Sequence, residues 1–167
     1  MTLTALIPSL RRTLPDPLAP HRWPAGTRAT TTDVVVVGAS MVELARRCGT
    51  PCVHLGVAPA PHACGSTDSD TVTVVVVAVR TAARGLDGAL LLELDADLHR
   101  VHPVWDEARL VGRASTAPAV VTHAVGPGAP RATAAAHLPA DVTTGDLVAL
   151  PCPGSVALHQ VLPRSAR

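Results

Sequence analysis

The run Thr71–Val79 (TVTVVVVAV) admits few folds. Seven of its nine residues are Val or Ala, and valine is stiff at χ1 and fits a pleated strand better than a helix. A strand with one wet face alternates apolar and polar residues, whereas this run has no polar face to offer. It predicts a strand covered on both sides, hence a layered domain. The chain has two Trp, no Phe and no Tyr against 47% hydrophobic residues. Any core must therefore be built from Val, Leu and Ala, with few aromatic anchors.

Other strands read out around this one. Asp33–Gly38 (DVVVVG) predicts a short buried strand closed by a turn. Pro51–Leu55 predicts a second. Leu86-Asp87-Gly88 is a turn signal between Thr71–Val79 and a hairpin partner at Ala89–Asp95, in which Leu90, Leu92 and Leu94 face one way and Leu91, Glu93 and Asp95 the other. Val104–Val111, Pro118–Val125, Asp146–Leu150 and Ser155–Val161 complete the set, each bounded by Gly or Pro. One helix is expected. Ser40 can cap it by accepting from the Glu43 amide, with Glu43 completing a capping box. Met41, Leu44, Ala45 and Cys48 then share one face, and Gly49 ends the helix. The fold expected is mainly β, a single antiparallel barrel or sandwich with one short α-helix. Five prolines in residues 1–32 predict an irregular arm, with the β domain over 33–167. Residues 56–70 read as a loop.

The composition also excludes functions. All fourteen basic residues are Arg and the net charge is +1, which gives no electrostatic reason to expect nucleic acid or an anionic membrane as a partner. Arg11 and Arg12 follow a short apolar stretch, the reverse of a secretory signal, and no apolar run approaches the roughly 20 residues of a membrane span. A cytoplasmic location is expected. Four cysteines (Cys48, Cys52, Cys64, Cys152) read as thiols. Cys48, Cys52, His54, His62 and Cys64 lack the paired spacing that brings four ligands to one zinc ion. No metal is predicted.

Candidate site residues come from polar groups set in apolar strands. Glu107 and Arg109 alternate with Trp105 on one face of the predicted strand Val104–Val111. Inside a barrel such a pair can grip or polarise a ligand; on a wet face it is an ion pair worth about 0–1 kcal/mol. His123 shares a face with Val121 and Val125, and His159 shares one with Ala157 and Val161. Each is a pocket group or a hydrogen-bonded core histidine.

Several segments carry a family resemblance. Gly38–Pro51 (GASMVELARRCGTP) resembles the opening of diaminopimelate decarboxylases, which are fold-type III pyridoxal-phosphate enzymes, and Trp23-Pro24 sits where that family often has the same pair. Ala117–Pro127 (APAVVTHAVGP), Leu138-Pro139 with Gly145–Ala149 (GDLVA), and Gly154-Ser155-Val156 are similar to its C-terminal β domain, in the family's order. The resemblance covers about half of the chain. It implies that the (β/α)₈ barrel, typically about 250 residues, has been deleted between Val53 and Asp70. The chain holds no lysine, so the amine that would tether the cofactor is missing. Where the family has a catalytic Cys and an acidic residue stand Ala129 and Pro130, and Val156 replaces its Tyr. No cofactor is expected, and pyridoxal-phosphate decarboxylation is excluded.

Two functions remain, beside a decayed remnant with no activity, against which the intact strand patterning argues. In one, the barrel holds a small apolar molecule and works as a cofactor-free cyclase or isomerase of specialised metabolism, closing a ring in a polyketide-type intermediate, since positioning alone can supply about 7–11 kcal/mol. Glu107, Arg109 and His123 would then be catalytic, while Trp105, Val121, Val125, Val156 and His159 would line the substrate site. In the other, the chain is a non-catalytic module that binds a partner protein or a second copy of itself as a homodimer. An enclosed apolar pocket of about 300–1,000 Å³ separates the two.

Overall fold

The computed structural model describes residues 3–59, 70–127 and 134–163. It is mainly β, with a nearly closed, barrel-like sheet. Its strands are β1 (Thr27–Ala29), β2 (Val34–Val36), β3 (Ala39–Ser40), β4 (Cys52–Val57), β5 (Thr71–Arg84), β6 (Leu90–Leu94), β7 (Arg109–Val111), β8 (Ala119–Val125), β9 (Ala134–Pro139) and β10 (Leu147–Pro153). Helix α2 (Met41–Cys48) is the one expected; α1 (Leu3–Leu6) and α3 (Leu158–Val161) are single turns.

The valine run is the hub. β5 is 14 residues long and pairs with β10 on one side. On the other it pairs first with β4 and then, past a register shift between Val79 and Thr81, with β6. The bulge lets one strand serve both ends of the sheet. The large sheet runs β7-β10-β5-β6-β8-β9, and its two ends, β7 and β9, come together. Val75, Val77 and Val79 point into the barrel with Leu90, Leu92, Leu94, Leu150 and Cys152. Val74 and Val76 point the other way, against Trp23, Val34, Val36, Met41 and Ala45. The run is continuous because a second layer, made of the three-stranded sheet β1-β2-β3 and α2, covers its outer face.

Helix α2 starts as expected at Ser40, whose Oγ accepts from the Glu43 amide at 3.0 Å. The Glu43 carboxylate turns instead to Arg46 and Arg47, at 2.6 Å each. Asp33 takes up the slack: its Oδ1 accepts from the amides of Val34 and Val42, and its Oδ2 from the Ser40 hydroxyl. On the predicted apolar face Met41 and Ala45 are buried, while Cys48 is exposed. Gly49 ends the helix at φ 76°.

Several expectations change. Residues 3–32, expected as an irregular arm, contain two 3₁₀ turns and β1, and Trp23 in their midst is wholly buried. The arm lies so close to β4 that a Cβ on Gly56 would sit 2.5 Å from the Pro24 Cβ. Val104–Val111 is a 3₁₀ turn (Trp105–Glu107) followed by the short β7, because Pro103, Asp106 and Glu107 suit a turn better than a ladder. Ser155–Val161 is a loop and α3, not a strand. β9 carries no strand signal in its residues; AAAHLP has little strand propensity of its own and is held by pairing with β8. β6 and β8 pair in parallel, since the long connection 95–118 leaves the sheet and re-enters in the same direction. Leu90, Leu92 and Leu94 face inward as expected, but Asp95 is buried rather than outward. Its amide donates to the Ala78 carbonyl, and its Oδ1 accepts from the Ala78 amide at 2.8 Å.

Candidate functional site

Glu107 gathers three donors on one carboxylate oxygen. The turn Trp105–Glu107 is closed by the Glu107 amide donating to Val104 O and the Ala108 amide to Trp105 O. It aims the Glu107 side chain under the N-terminal arm. There Oε2 accepts from the Trp23 indole Nε1–H at 2.8 Å, from the Ala19 amide at 3.1 Å and from Arg109 Nη2 at 3.2 Å. Arg109 also donates to the Pro17 and Ala108 carbonyls. The predicted Glu107–Arg109 pair is therefore real. Its tryptophan partner is Trp23, however, and Trp105 packs against the barrel core instead. A lone Trp within a proline-rich stretch was the available signal that the arm is docked, since so large a ring rarely stays in water.

A second ionic cluster lies nearby. Arg113 makes a bidentate pair with Asp146, Nε to Oδ1 at 2.8 Å and Nη2 to Oδ2 at 2.7 Å, and reaches Asp141 at 3.1 Å. Asp141 also accepts from the Ser115 hydroxyl at 2.5 Å. Partial burial pushes the Asp141 carboxyl up, but the bonds from Ser115 and Arg113 outweigh it and hold the group below the usual carboxylate value. Arg11 bridges the arm to the barrel, with Nε 3.0 Å from Asp16 and Nη1 donating to the Ala117 carbonyl at 2.8 Å. Arg11, Asp16, Asp33, Arg109, Arg113 and His137 line a cavity of about 80 Å³. That is room for a few waters, well short of a ligand. A larger open groove of about 580 Å³ runs outside the barrel beside Pro15, Pro17, Trp23 and Arg28.

The remaining predicted residues do not gather around either space. On β8, Val121 is exposed, and His123 and Val125 are half-buried. Thr122 and Ala124 are the buried residues, because their parallel neighbours on β6 are Leu90 and Leu92. Beside two leucines the narrow barrel interior takes only small side chains, and the larger valines are turned outward. Val156 is a core residue, and its amide donates to the Thr73 hydroxyl at 2.9 Å. His159 is exposed on α3. Cys52 and Cys152 are buried, and burial pushes their thiols up to about 11 and about 12. No group of three or more metal-binding side chains occurs among the described residues; His62 and Cys64 lie outside them. No helix among the described residues is long and apolar enough to cross a membrane.

Fold and site together define a small barrel-like β domain in which the Glu107 cluster fastens the N-terminal arm. No family model and no curated protein matches the chain. Among solved structures it is similar to the arginine decarboxylase of Paramecium bursaria Chlorella virus, with a TM-score of 0.38 and 14% sequence identity, over 55% of this chain and 28% of that one. The chain thus spans just over a quarter of that structure. The likeness is distant.

Proposed function

We propose that this chain is a non-catalytic β-barrel module that acts by binding another macromolecule. The observation that carries this reading is the bonding of Glu107. Its Oε2 already accepts from Trp23, Ala19 and Arg109, so the strongest candidate for acid–base work is spent on fastening the arm. The barrel interior is filled by its own Val, Leu and Ala side chains, and the suggested catalytic His123 and substrate-contact residues Val121 and Val125 lie on the outer side of β8. The cyclase reading needs an enclosed apolar pocket of ligand size. The spaces described above are a small polar cavity and an open groove, and neither supports it. The resemblance of Gly38–Pro51 and Ala117–Pro127 to diaminopimelate decarboxylases supports an origin in which such an enzyme was reduced to its β domain.

Metabolite profiles of strains with and without the gene test the reading. A binding module leaves small-molecule profiles unchanged. An open-chain isomer that accumulates on deletion would overturn it in favour of the cyclase.

A further inference from the structure

We propose that the free edge of β4 pairs with the β4 edge of a second copy, closing a symmetric dimer. Such a dimer forms whether or not the chain is catalytic. Among the described residues β4 pairs with β5 alone, and hydrogen bonding fixes which of its groups point away from β5. The Ala58 amide donates to Asp70 O, which makes 58–70 a bonded pair. By antiparallel alternation Gly56, His54 and Cys52 also bond toward β5, and Val57, Leu55 and Val53 present N–H and C=O to the outside. The Val57 carbonyl confirms this polarity, since it accepts from the Ala25 amide at 2.8 Å on the outer side. Val53 and Leu55 are left with four outward backbone groups that have no partner among the described residues.

Natural edges are protected by Lys, Pro, bulges or cover. β4 (CVHLGV) carries no Pro, no Asp, Glu, Lys or Arg, and no bulge. Leu55 and Val57 are 53% and 68% exposed along it. The ends of the barrel sheet, by contrast, come together.

The edge is complementary to itself. With a two-fold axis at His54, Val53 faces the partner's Leu55 and Leu55 faces the partner's Val53, which satisfies all four free groups in each copy with four hydrogen bonds. The pairing is confined to residues 53–55 and stops short of Val57, whose outward carbonyl already accepts from the Ala25 amide. An isologous contact of this kind stops at two copies. So short a contact lies at the low end of interface sizes, which points to a weak, concentration-dependent dimer.

Sedimentation equilibrium of the full chain, from micromolar to submillimolar concentration, tests this beside Leu55→Pro and Leu55→Lys. The Leu55 N–H points outward, so proline there leaves the β5 ladder intact; lysine changes only an exposed side chain. Monomer–dimer behaviour is expected for the natural chain. In both variants the dissociation constant should rise at least about tenfold, with circular dichroism unchanged. A natural chain that stays monomeric, one that grows beyond two copies, or folded variants that still dimerise would each overturn the proposal.

Discussion

Replacing Glu107 by alanine removes one acceptor shared by three donors. Trp23 is fully buried, and its Nε1–H has the Glu107 carboxylate as its bonding partner. Hydrogen bonds to a charged group contribute about 1.5–3 kcal/mol each, and a stranded donor loses its desolvation energy as well. The three bonds share one oxygen and are not additive. Arg109 keeps its bonds to Pro17 and Ala108, and with its side chain 19% exposed water screens part of the charge left behind. The sum is about 3 kcal/mol. For a chain of this size that lowers the thermal midpoint by about 6–12 °C. Glu107→Gln keeps an acceptor for Trp23 and Ala19 and should cost about half as much. Thermal and urea denaturation of both variants measure the difference. Fluorescence is a second readout, since Trp23 would report the arm's release ahead of the barrel. A Glu107→Ala chain that melts within about 1 °C of the natural one refutes the view that this carboxylate fastens the arm.

Two further outcomes follow from the two-layer core. Val75→Ala and Val76→Ala should each cost about 2 kcal/mol in urea denaturation, because Val75 is buried in the barrel and Val76 beneath the N-terminal layer. A cost at Val76 under about 0.5 kcal/mol would mean that this layer does not cover β5. In a Cys64→Ser background, iodoacetamide at about pH 8 should label Cys48 fast, whereas Cys52 and Cys152 should resist until the chain unfolds. With thiols raised to about 11 and about 12, at most about one Cys52 in a thousand is thiolate at that pH. Raising the pH increases the thiolate fraction and should speed labelling. Rapid labelling of all three in the folded protein would contradict the burial.

Much of the architecture was legible in the residues. The valine run announced a strand covered on both faces, Asp87-Gly88 announced the hairpin, and Ser40 and Gly49 marked the ends of α2. These signals are local: turn chemistry, capping and periodicity act within a few residues. The Glu107–Arg109 pair was legible for the same reason, being two residues apart. Its partner Trp23 was not, because the indole arrives from 84 residues away in sequence. The strand β9 was equally hidden, since its alanines carry no preference and only β8 makes them a strand.

The sequence by itself determined that the chain is a β protein with an aliphatic core and no lysine for pyridoxal-phosphate chemistry. These follow from composition and short-range pattern, which no tertiary contact can alter. Only the tertiary structure decided which face of each strand looks inward. Val121, His123 and Val125 alternate with Thr122 and Ala124 whichever way β8 is turned. The leucines of β6, arriving across the parallel pairing, leave room inside only for the smaller pair. The same packing turned a possible catalytic carboxylate into a clasp, because Trp23 and Ala19 close over Glu107 only once the arm has folded back across the barrel.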